Sequence, residues 1–488
     1  MTTETSTPIR VRFAPSPTGF LHVGGARTAI YNDLLRQRLG GAFILRIEDT
    51  DRQRSDEAMT RQIQDALAWI GVTWDEGPFL QSERLERHRE RARELLDGGL
   101  AYRAYETPDE LEALRAAARA EGGEFRYRAG RSPLAAAEIA RRAGDGDPFV
   151  VRFRMPDEPI RFHDLVRGDV EFPPEALDDL ILLRSDGSPT YHMSVVADDI
   201  DMAVTHVIRG EDHLSNTPKH VAMFAAFGAP APTFAHLPLI LGTDRKRLSK
   251  RTGATSVEEF RGQGILPQAL YNFLALLGWS PGDDRELMSR AEMAAVFSTD
   301  RLNDSAAVFD PDKLGWMNAQ YMASLPLAAL RPHLEPFLEA AGLAAAAGPR
   351  LDAALDLHRT RARTLADLAA AVKPYFAETI DYDPALTAGF AAQEELPGDL
   401  RELAARWRSL AAFDVAPLED ALRALCAERG AKAGHLIHPV RMALSGAKAG
   451  PPLFDLVAVM GPEATARHLE SFLAHLAASP PPASGAGG

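Results

Sequence analysis

Cysteine is almost absent from this chain: of its 488 residues, only Cys426 is one. A single thiol excludes an internal disulfide and any zinc site built from several cysteines. Long apolar runs are missing too, and nothing approaches the about 18 consecutive apolar residues of a membrane-spanning helix. Residues 1–8 are polar and hold no signal-like apolar core, so the expected location is the cytoplasm. Positive charge is not in excess: 54 Lys and Arg stand against 68 Asp and Glu, a net charge of −14. That argues against a chain coated in nucleic acid but leaves room for a local basic face. No sequence repeat is evident. What is present is a hydrophobic content of 46%, which marks a globular chain, and a length that suits three or more domains.

The rest is organised around Arg12-Phe13-Ala14-Pro15-Ser16-Pro17-Thr18-Gly19-Phe20-Leu21-His22-Val23-Gly24-Gly25. It follows a short alternating strand, Ile9 to Phe13. Two prolines and a glycine then stop regular structure. From about His22 the pattern turns helical, with Ala26, Ala29, Ile30, Leu34 and Leu35 on one face. Strand, tight turn and helix make the first half of a βαβ unit. The N-terminus of such a helix carries unpaired N–H groups and a partial positive charge, which suits phosphate. Gly24 and Gly25 lack a Cβ, leaving room for a nucleobase or phosphate against the backbone. His22 stands at the mouth. The residues alone read as well as a loop with a surface histidine.

Further along, a strand from Ala42 to Ile47 ends in Glu48-Asp49-Thr50-Asp51. Open α/β sheets bind ligands at the carboxyl ends of their parallel strands. Asp51 and its neighbours also suit a cap for a helix from Ser55. Glu48 is the candidate for holding an amino group. A later strand, Val204 to Ile208, leads into Arg209-Gly210-Glu211-Asp212-His213. Arg209 and Arg12, both at strand ends, suit bidentate binding of a carboxylate; they read equally as two edge arginines facing water. Thr243 to Gly253 packs five basic residues into a polar loop, either a solvated patch or a site for phosphate. Ser82 to Leu96 reads as an exposed helix laced with ion pairs.

Together these stretches resemble the class I aminoacyl-tRNA synthetases, in the form of the bacterial glutamyl-tRNA synthetases. Arg12 to Arg27 resembles the first class signature, HIGH, with Gly25 at its last position and His22 as its only histidine. Arg46 to Asp51, Gly187 to His192 and Thr205 to Leu214 are similar to further blocks of that family. Arg247-Leu248-Ser249-Lys250-Arg251 resembles the second signature, KMSKS. Arg247 replaces its first lysine there, and Lys246 is an alternative for that charge. His438 to Gly446 resembles a late family motif.

The resemblance implies an α/β fold: a Rossmann-type nucleotide-binding catalytic domain with an α+β insertion, followed by an all-α C-terminal anticodon-binding region. The implied divisions are 1–101 and 187–255 for the two catalytic halves, with an acceptor-stem-binding insertion at 102–186. A helical stem-contact domain at 256–324 and anticodon-binding helices at 325–478 follow, then a disordered tail at 479–488. The implied substrates are ATP with Mg²⁺, L-glutamate and tRNA(Glu). Catalysis falls to His22 and Lys250, and ATP binding to these with Gly24, Gly25, Arg247 and Ser249. Glutamate binding falls to Arg12, Ser16, Glu48, Tyr191 and Arg209. Anticodon reading falls to Arg361, then Arg359, in the basic run His358 to Leu365. Val195 stands where some members have asparagine, so one substrate contact is lost or replaced. Many members hold zinc in the insertion through cysteines; Tyr102 to Glu106 stands at that place, so neither zinc nor another protein-bound metal is expected. A monomer that discriminates against tRNA(Gln) is expected. The helical C-terminal part argues against a glutaminyl-tRNA synthetase, and the length against a glutamyl-queuosine tRNA synthetase. His22, Lys250 and Glu48 together argue against an inactive paralogue that only binds RNA.

Overall fold

The computed structural model describes residues 8–50, 57–123, 125–128, 134–248 and 255–478. The chain forms two compact units, Met1–Glu259 with Leu270–Asp310, and Phe260–Ala269 with Pro311–Gly488. The first begins with β1 (Ile9–Phe13), α1 (Val23–Leu39), β2 (Gly41–Ile47), α2 (Glu57–Trp69), β3 (Glu76–Leu80) and α3 (Leu85–Asp97). It continues through β4 (Ala101–Ala104), α4 (Pro108–Ala120), α5 (Ala136–Asp145), β5 (Val150–Phe153), β6 (Ile160–Asp164), β7 (Gly168–Phe172) and β8 (Ile181–Leu183). Then come α6 (Tyr191–Asp201), β9 (His206–Gly210), α7 (Thr217–Ala226) and β10 (Thr233–Leu237).

Seven strands form one sheet in the order β3-β2-β1-β9-β10-β6-β7. Every neighbouring pair is parallel except β6 with β7. The order reverses at β1, which has β2 on one side and β9 on the other. Such a switch point is where an open parallel sheet leaves a crevice at its carboxyl ends. Central parallel strands are covered on both faces and read as continuous apolar runs. β2 accordingly buries every residue from Phe43 to Ile47, Arg46 included.

The apolar face of α1 is buried as its periodicity implies, but so are Arg27, Tyr31, Asn32 and Asp33. A second layer covers them: the Asp33 carboxylate accepts from Tyr271 Oη and Arg290 Nη2, both at 2.9 Å. α3 is an ion-paired helix, yet its arginines are not simply solvated. Arg87 and Arg91 reach Asp201 of α6 at 2.8 and 2.6 Å.

β4, β5 and β8 form a separate antiparallel sheet. Around it, Tyr102 Oη donates to Asp179 at 2.7 Å, and the Arg152 guanidinium lies 3.7 Å from the Tyr127 ring centroid. β6 and β7 leave this sheet and extend the main one through Asp164 and Phe234. The expected insertion at 102–186 thus contains two strands of the large sheet. Its local pattern could not reveal this, because β10, the partner of β6, lies far along the chain.

The second unit is helical throughout among the described residues. Pro349 and Pro397 stand in the first turns of helices Pro349–Arg359 and Leu396–Arg408, where a missing N–H costs nothing. The expected division at 256–324 is shared between the units: Leu270–Asp310 packs with the sheet, and Pro311 onward with the helices. Asp51, the start expected at Ser55, and the tail 479–488 lie outside the described residues. No helix of the described residues is long and apolar enough to cross a membrane.

Candidate active site

β1 and β9 deliver Arg12 and Arg209 to the same end of the sheet. Two adjoining cavities of about 330 and 500 Å³ open there and share Arg12, His22, Gly25, Arg209 and His213. The first is also lined by Gly24, Arg27, Thr28, Asp212 and Arg247. The second is also lined by Ser16, Glu48, Tyr191 and Asn216.

At the first cavity, His22 caps α1 with extended backbone (φ −72°, ψ 149°) while its Nδ1 accepts from Gly24 N at 3.1 Å. Accepting at Nδ1 puts the proton of the neutral ring on Nε2, a donor. The first turn of α1 carries no acidic residue, so nothing local offsets its positive end. The two glycines differ in what surrounds them. A Cβ on Gly25 would meet Leu21 Cδ1 at 3.2 Å and Phe13 Cζ at 3.5 Å, and one on Gly24 would meet His22 Nδ1 at 3.5 Å. Gly25 is therefore small for close packing within the turn, as well as lining both cavities.

Of the two candidates for the first basic position, Arg247 lines the first cavity and Lys246 lines neither. Ser249 and Lys250 lie outside the described residues. The chain on either side of 249–254 is well fixed. Leu248 N donates to Ile240 O at 3.1 Å, Val23 N to Thr255 O at 2.9 Å, and Val257 N to Leu21 O at 3.0 Å. Leu248 and Ile240 line the first cavity, and the other flank is bonded to Leu21 and Val23, the neighbours of His22.

The second cavity gathers Arg12, Ser16, Glu48, Tyr191 and Arg209. Both arginines are buried, at 4% and 6% exposure. Among the described residues the Arg12 guanidinium makes one hydrogen bond, from Nε to Asp199 at 3.4 Å. Arg209 Nη1 donates to Tyr191 Oη at 3.4 Å, and Tyr191 Oη also meets His213 Nδ1 at 3.0 Å. Burial pushes the Arg209 guanidinium below its ordinary value, Tyr191 offsets part of this, and the Arg12 charge adds to it. Burial also pushes Tyr191 up to about 12 and raises the Glu48 carboxyl, the latter against the pull of Arg46 and Arg12. Val195 is buried and lines neither cavity.

His213, Asn216, Arg27 and Asp212 were not singled out from the sequence. His213 had a signal: it follows Arg209 by four residues, in the short turn Glu211–Asn216 at the end of β9. In the helical unit, Arg359 is occupied: Nη1 donates to Ala323 O and Leu325 O at 3.0 and 2.7 Å, and Nε pairs with Asp356 at 2.9 Å. It closes the carbonyl end of helix Pro311–Ser324. Arg361 is exposed, and its side chain makes no hydrogen bond or ion pair among the described residues.

A parallel sheet of this order, with a capped helix N-terminus and cationic side chains at its switch point, defines a Rossmann-type nucleotide-binding catalytic domain. Residues 8–316 match the family "tRNA synthetases class I (E and Q), catalytic domain", and residues 328–473 match "Anticodon binding domain". The chain belongs to the class I tRNA synthetases of this E and Q family. It is 44% identical over 472 residues to the glutamate–tRNA ligase of Geotalea uraniireducens (strain Rf4), spanning 96% of this chain and 99% of the relative. A glutamate–tRNA ligase of Geobacter sulfurreducens matches to the same extent. Among solved structures, a glutamate tRNA ligase from Elizabethkingia meningosepticum CCUG26117, in complex with its amino acid, superposes with a TM-score of 0.87 at 33% identity. That match covers 96% of this chain and all of the other.

Proposed function

We propose that this chain is a glutamate–tRNA ligase. It activates L-glutamate with ATP to glutamyl-adenylate and passes the acyl group to the 3′-terminal adenosine of tRNA(Glu), releasing pyrophosphate and AMP. The observation that carries the reading is the charge pattern of the second cavity: two buried arginines and one half-buried carboxylate, beside a helix N-terminus suited to phosphate. Glutamate is the complementary ligand. Its ammonium group pairs with Glu48, and its side-chain carboxylate with Arg12, Arg209 and the Tyr191 hydroxyl. The α-carboxylate is left facing the first cavity.

There the α-carboxylate oxygen attacks the α-phosphorus of ATP, and the bond to the pyrophosphate oxygen breaks. His22 Nε2–H and the N–H groups at the start of α1 stabilise phosphate charge. Arg247 and Lys250 do the same for the leaving pyrophosphate. Little acid–base chemistry is required, and the residues act by position and charge. The 2′-hydroxyl of the terminal adenosine then takes the acyl group. Asp212 is the acidic side chain lining the first cavity, and no cluster of metal-ligating residues occurs among the described ones. Mg²⁺ would therefore come with ATP, held by phosphate oxygens and water, and would lower the charge of the polyphosphate.

The segment around the small sheet is read as the acceptor-stem contact and the C-terminal helices as the anticodon contact. The enzyme is read as a cytoplasmic monomer that discriminates against tRNA(Gln). ATP–pyrophosphate exchange, run with tRNA present, tests the central reading. Exchange that depends on glutamate and fails with glutamine is expected. Absence of exchange with glutamate, or equal exchange with both amino acids, overturns it.

A further inference from the structure

We infer that Asp164 and His236 are positioning residues for Arg209, fixing the one orientation in which its guanidinium meets the side-chain carboxylate of the substrate. The inference rests on the reading of the second cavity as the amino-acid site.

Neither residue lines either of the two cavities. Asp164 ends β6, His236 lies in β10, and neither side chain is exposed to solvent. The chain of contacts is continuous. Asp164 Oδ2 lies 2.6 Å from His236 Nδ1, and Arg209 Nε donates to His236 Nε2 at 3.1 Å. Thr217 Oγ1, at the start of α7, accepts from Arg209 Nη2 at 2.8 Å. Two of the three guanidinium nitrogens are thereby tied down behind the cavity wall. The third, Nη1, is directed to Tyr191 on the cavity side.

The direction of each bond follows from donor and acceptor capacity. An arginine only donates, so His236 Nε2 must accept. The ring proton must then sit on Nδ1, where it faces a carboxylate that only accepts. Asp164 is fixed in turn, because its Oδ1 accepts from the backbone N–H groups of Val166, Arg167 and His236 at 3.0, 2.9 and 3.2 Å. The order carboxylate, neutral imidazole, guanidinium has one consistent arrangement of protons. Burial holds the imidazole below its ordinary value, against the opposing pull of Asp164, which agrees with a neutral ring.

This arrangement explains how a buried arginine stays aimed without a carboxylate of its own beside it. A direct carboxylate partner would compete with the substrate for Arg209. A neutral imidazole takes one N–H and leaves the positive charge for the ligand.

Asp164→Asn breaks the pattern in a defined way. The three backbone donors keep the amide oxygen where Oδ1 stands, so the amide N–H₂ faces His236 Nδ1. The ring proton is then displaced to Nε2, where it opposes the Arg209 Nε–H and is left to Thr217 Oγ1, 2.9 Å away. His236→Leu removes the acceptor outright. His236→Gln retains one, since its amide oxygen can accept from Arg209.

The test is ATP–pyrophosphate exchange with tRNA present, varying glutamate and ATP separately, on wild type, Arg209→Ala and these three variants. Asp164→Asn and His236→Leu are expected to raise KM for glutamate by about ten- to a hundredfold, the range for one hydrogen bond to a charged group. KM for ATP and kcat at saturating glutamate should stay within about threefold, a range too small for loss of such a bond. His236→Gln should recover most of the glutamate affinity. Should Asp164→Asn fail to fold, as judged by its melting curve, the contrast between Leu and Gln at position 236 decides. Unchanged KM for glutamate in folded His236→Leu overturns the inference. So does a parallel loss towards ATP and glutamate that Gln fails to repair, since that pattern belongs to a purely structural pair. If wild type does not activate glutamate, or Arg209→Ala leaves its KM unchanged, the reading of the cavity itself has failed.

Discussion

His88 Nε2 and Asp198 meet at 2.8 Å with neither side chain exposed to solvent, joining α3 to α6. Asp198 also accepts from Arg84 Nε at 2.7 Å and Gln81 Nε2 at 2.9 Å, and Arg46 Nε lies 3.9 Å away. Its neighbour Asp199 takes Arg46 Nη1 at 2.6 Å and Arg12 Nε at 3.4 Å. The two carboxylates thus seat the helix that begins with Tyr191 and brace Arg12 from behind. Burial alone would raise Asp198, but the bonds from His88 and Arg84 and the charge of Arg46 hold it down at about 2.

A carboxylate held below its unfolded value of about 3.9 stabilises the fold above that pH. The contribution is lost as the pH falls towards about 2. Asp198→Asn should therefore destabilise the protein at neutral pH by about 2–3 kcal/mol, the linkage value for a carboxylate lowered from about 3.9 to about 2. The gap between wild type and mutant should close in acid. Thermal or urea unfolding at both pH values measures this, and equal stability at neutral pH would show that the network carries little.

Glu48 gives a second pH dependence, in binding rather than stability. Burial raises its carboxyl above the ordinary value. Only the ionised form pairs with an ammonium group, so affinity for glutamate should rise as the pH rises through that raised value and fall below it. Tyr191, pushed up to about 12, keeps its proton across the neutral range, and burial with the Arg209 charge pushes His213 below its ordinary value. KM for glutamate measured against pH should show this limb in wild type. In Glu48→Gln it should be higher and lose this limb, keeping only the loss of affinity below about 4.3, where the substrate's own side-chain carboxylate is protonated. A profile that the substitution leaves intact assigns the limb to another group.

The candidate site residues are legible in the sequence where local signals mark strand ends and turns. Arg12 and Arg209 close alternating strands, Glu48 follows one, and His22 precedes a helical pattern; all four line the two cavities. The residues behind them carry no such mark. Asp164, Asp198, Asp199 and His236 are polar residues in or at the ends of ordinary elements, and only tertiary pairing turns them into a buried network. The same holds for β6, whose partner β10 is chosen by long-range register that no local period encodes. Arg359 shows the reverse case. Its basic run marks a helix end, but the two carbonyls that occupy it come from another helix and the turn after it.

Lys250 is the strongest test of the nucleotide site. It lies in sequence between Leu248, which bonds Ile240 at the first cavity, and Thr255, which bonds Val23 next to His22. Lys250→Ala should slow adenylate formation by about two to three orders of magnitude, as expected for loss of one charge-stabilising donor. Binding of tRNA should change little. Single-turnover adenylate formation with ATP and glutamate measures the first, and a filter-binding titration the second. A near-normal activation rate would remove Lys250 from the catalytic step.

If Arg361 reads the anticodon, it sets which tRNA is charged. The anticodons for glutamate and glutamine differ at the third letter, C against G, and bases in a splayed loop are read on their Watson–Crick edges. Cytosine presents two acceptors there, O2 and N3, whereas guanine presents two donors, N1–H and N2–H, beside one acceptor. An arginine only donates, so it complements cytosine and opposes guanine. Of the two arginines in the run, Arg359 is bound to Ala323 O and Leu325 O, and Arg361 is exposed with an uncommitted guanidinium among the described residues. That difference favours Arg361 as the reader. Wild type should charge tRNA(Glu) and leave tRNA(Gln) almost uncharged. In Arg361→Gln the amide both donates and accepts, so the preference should narrow by about tenfold or more, the discrimination carried by one specific base contact. Activation of glutamate should be unchanged, since the substitution is confined to the helical unit. Charging both tRNAs with both enzymes separates the outcomes. Efficient wild-type charging of tRNA(Gln) refutes discrimination itself, and a preference unchanged in the mutant assigns the reading to another residue.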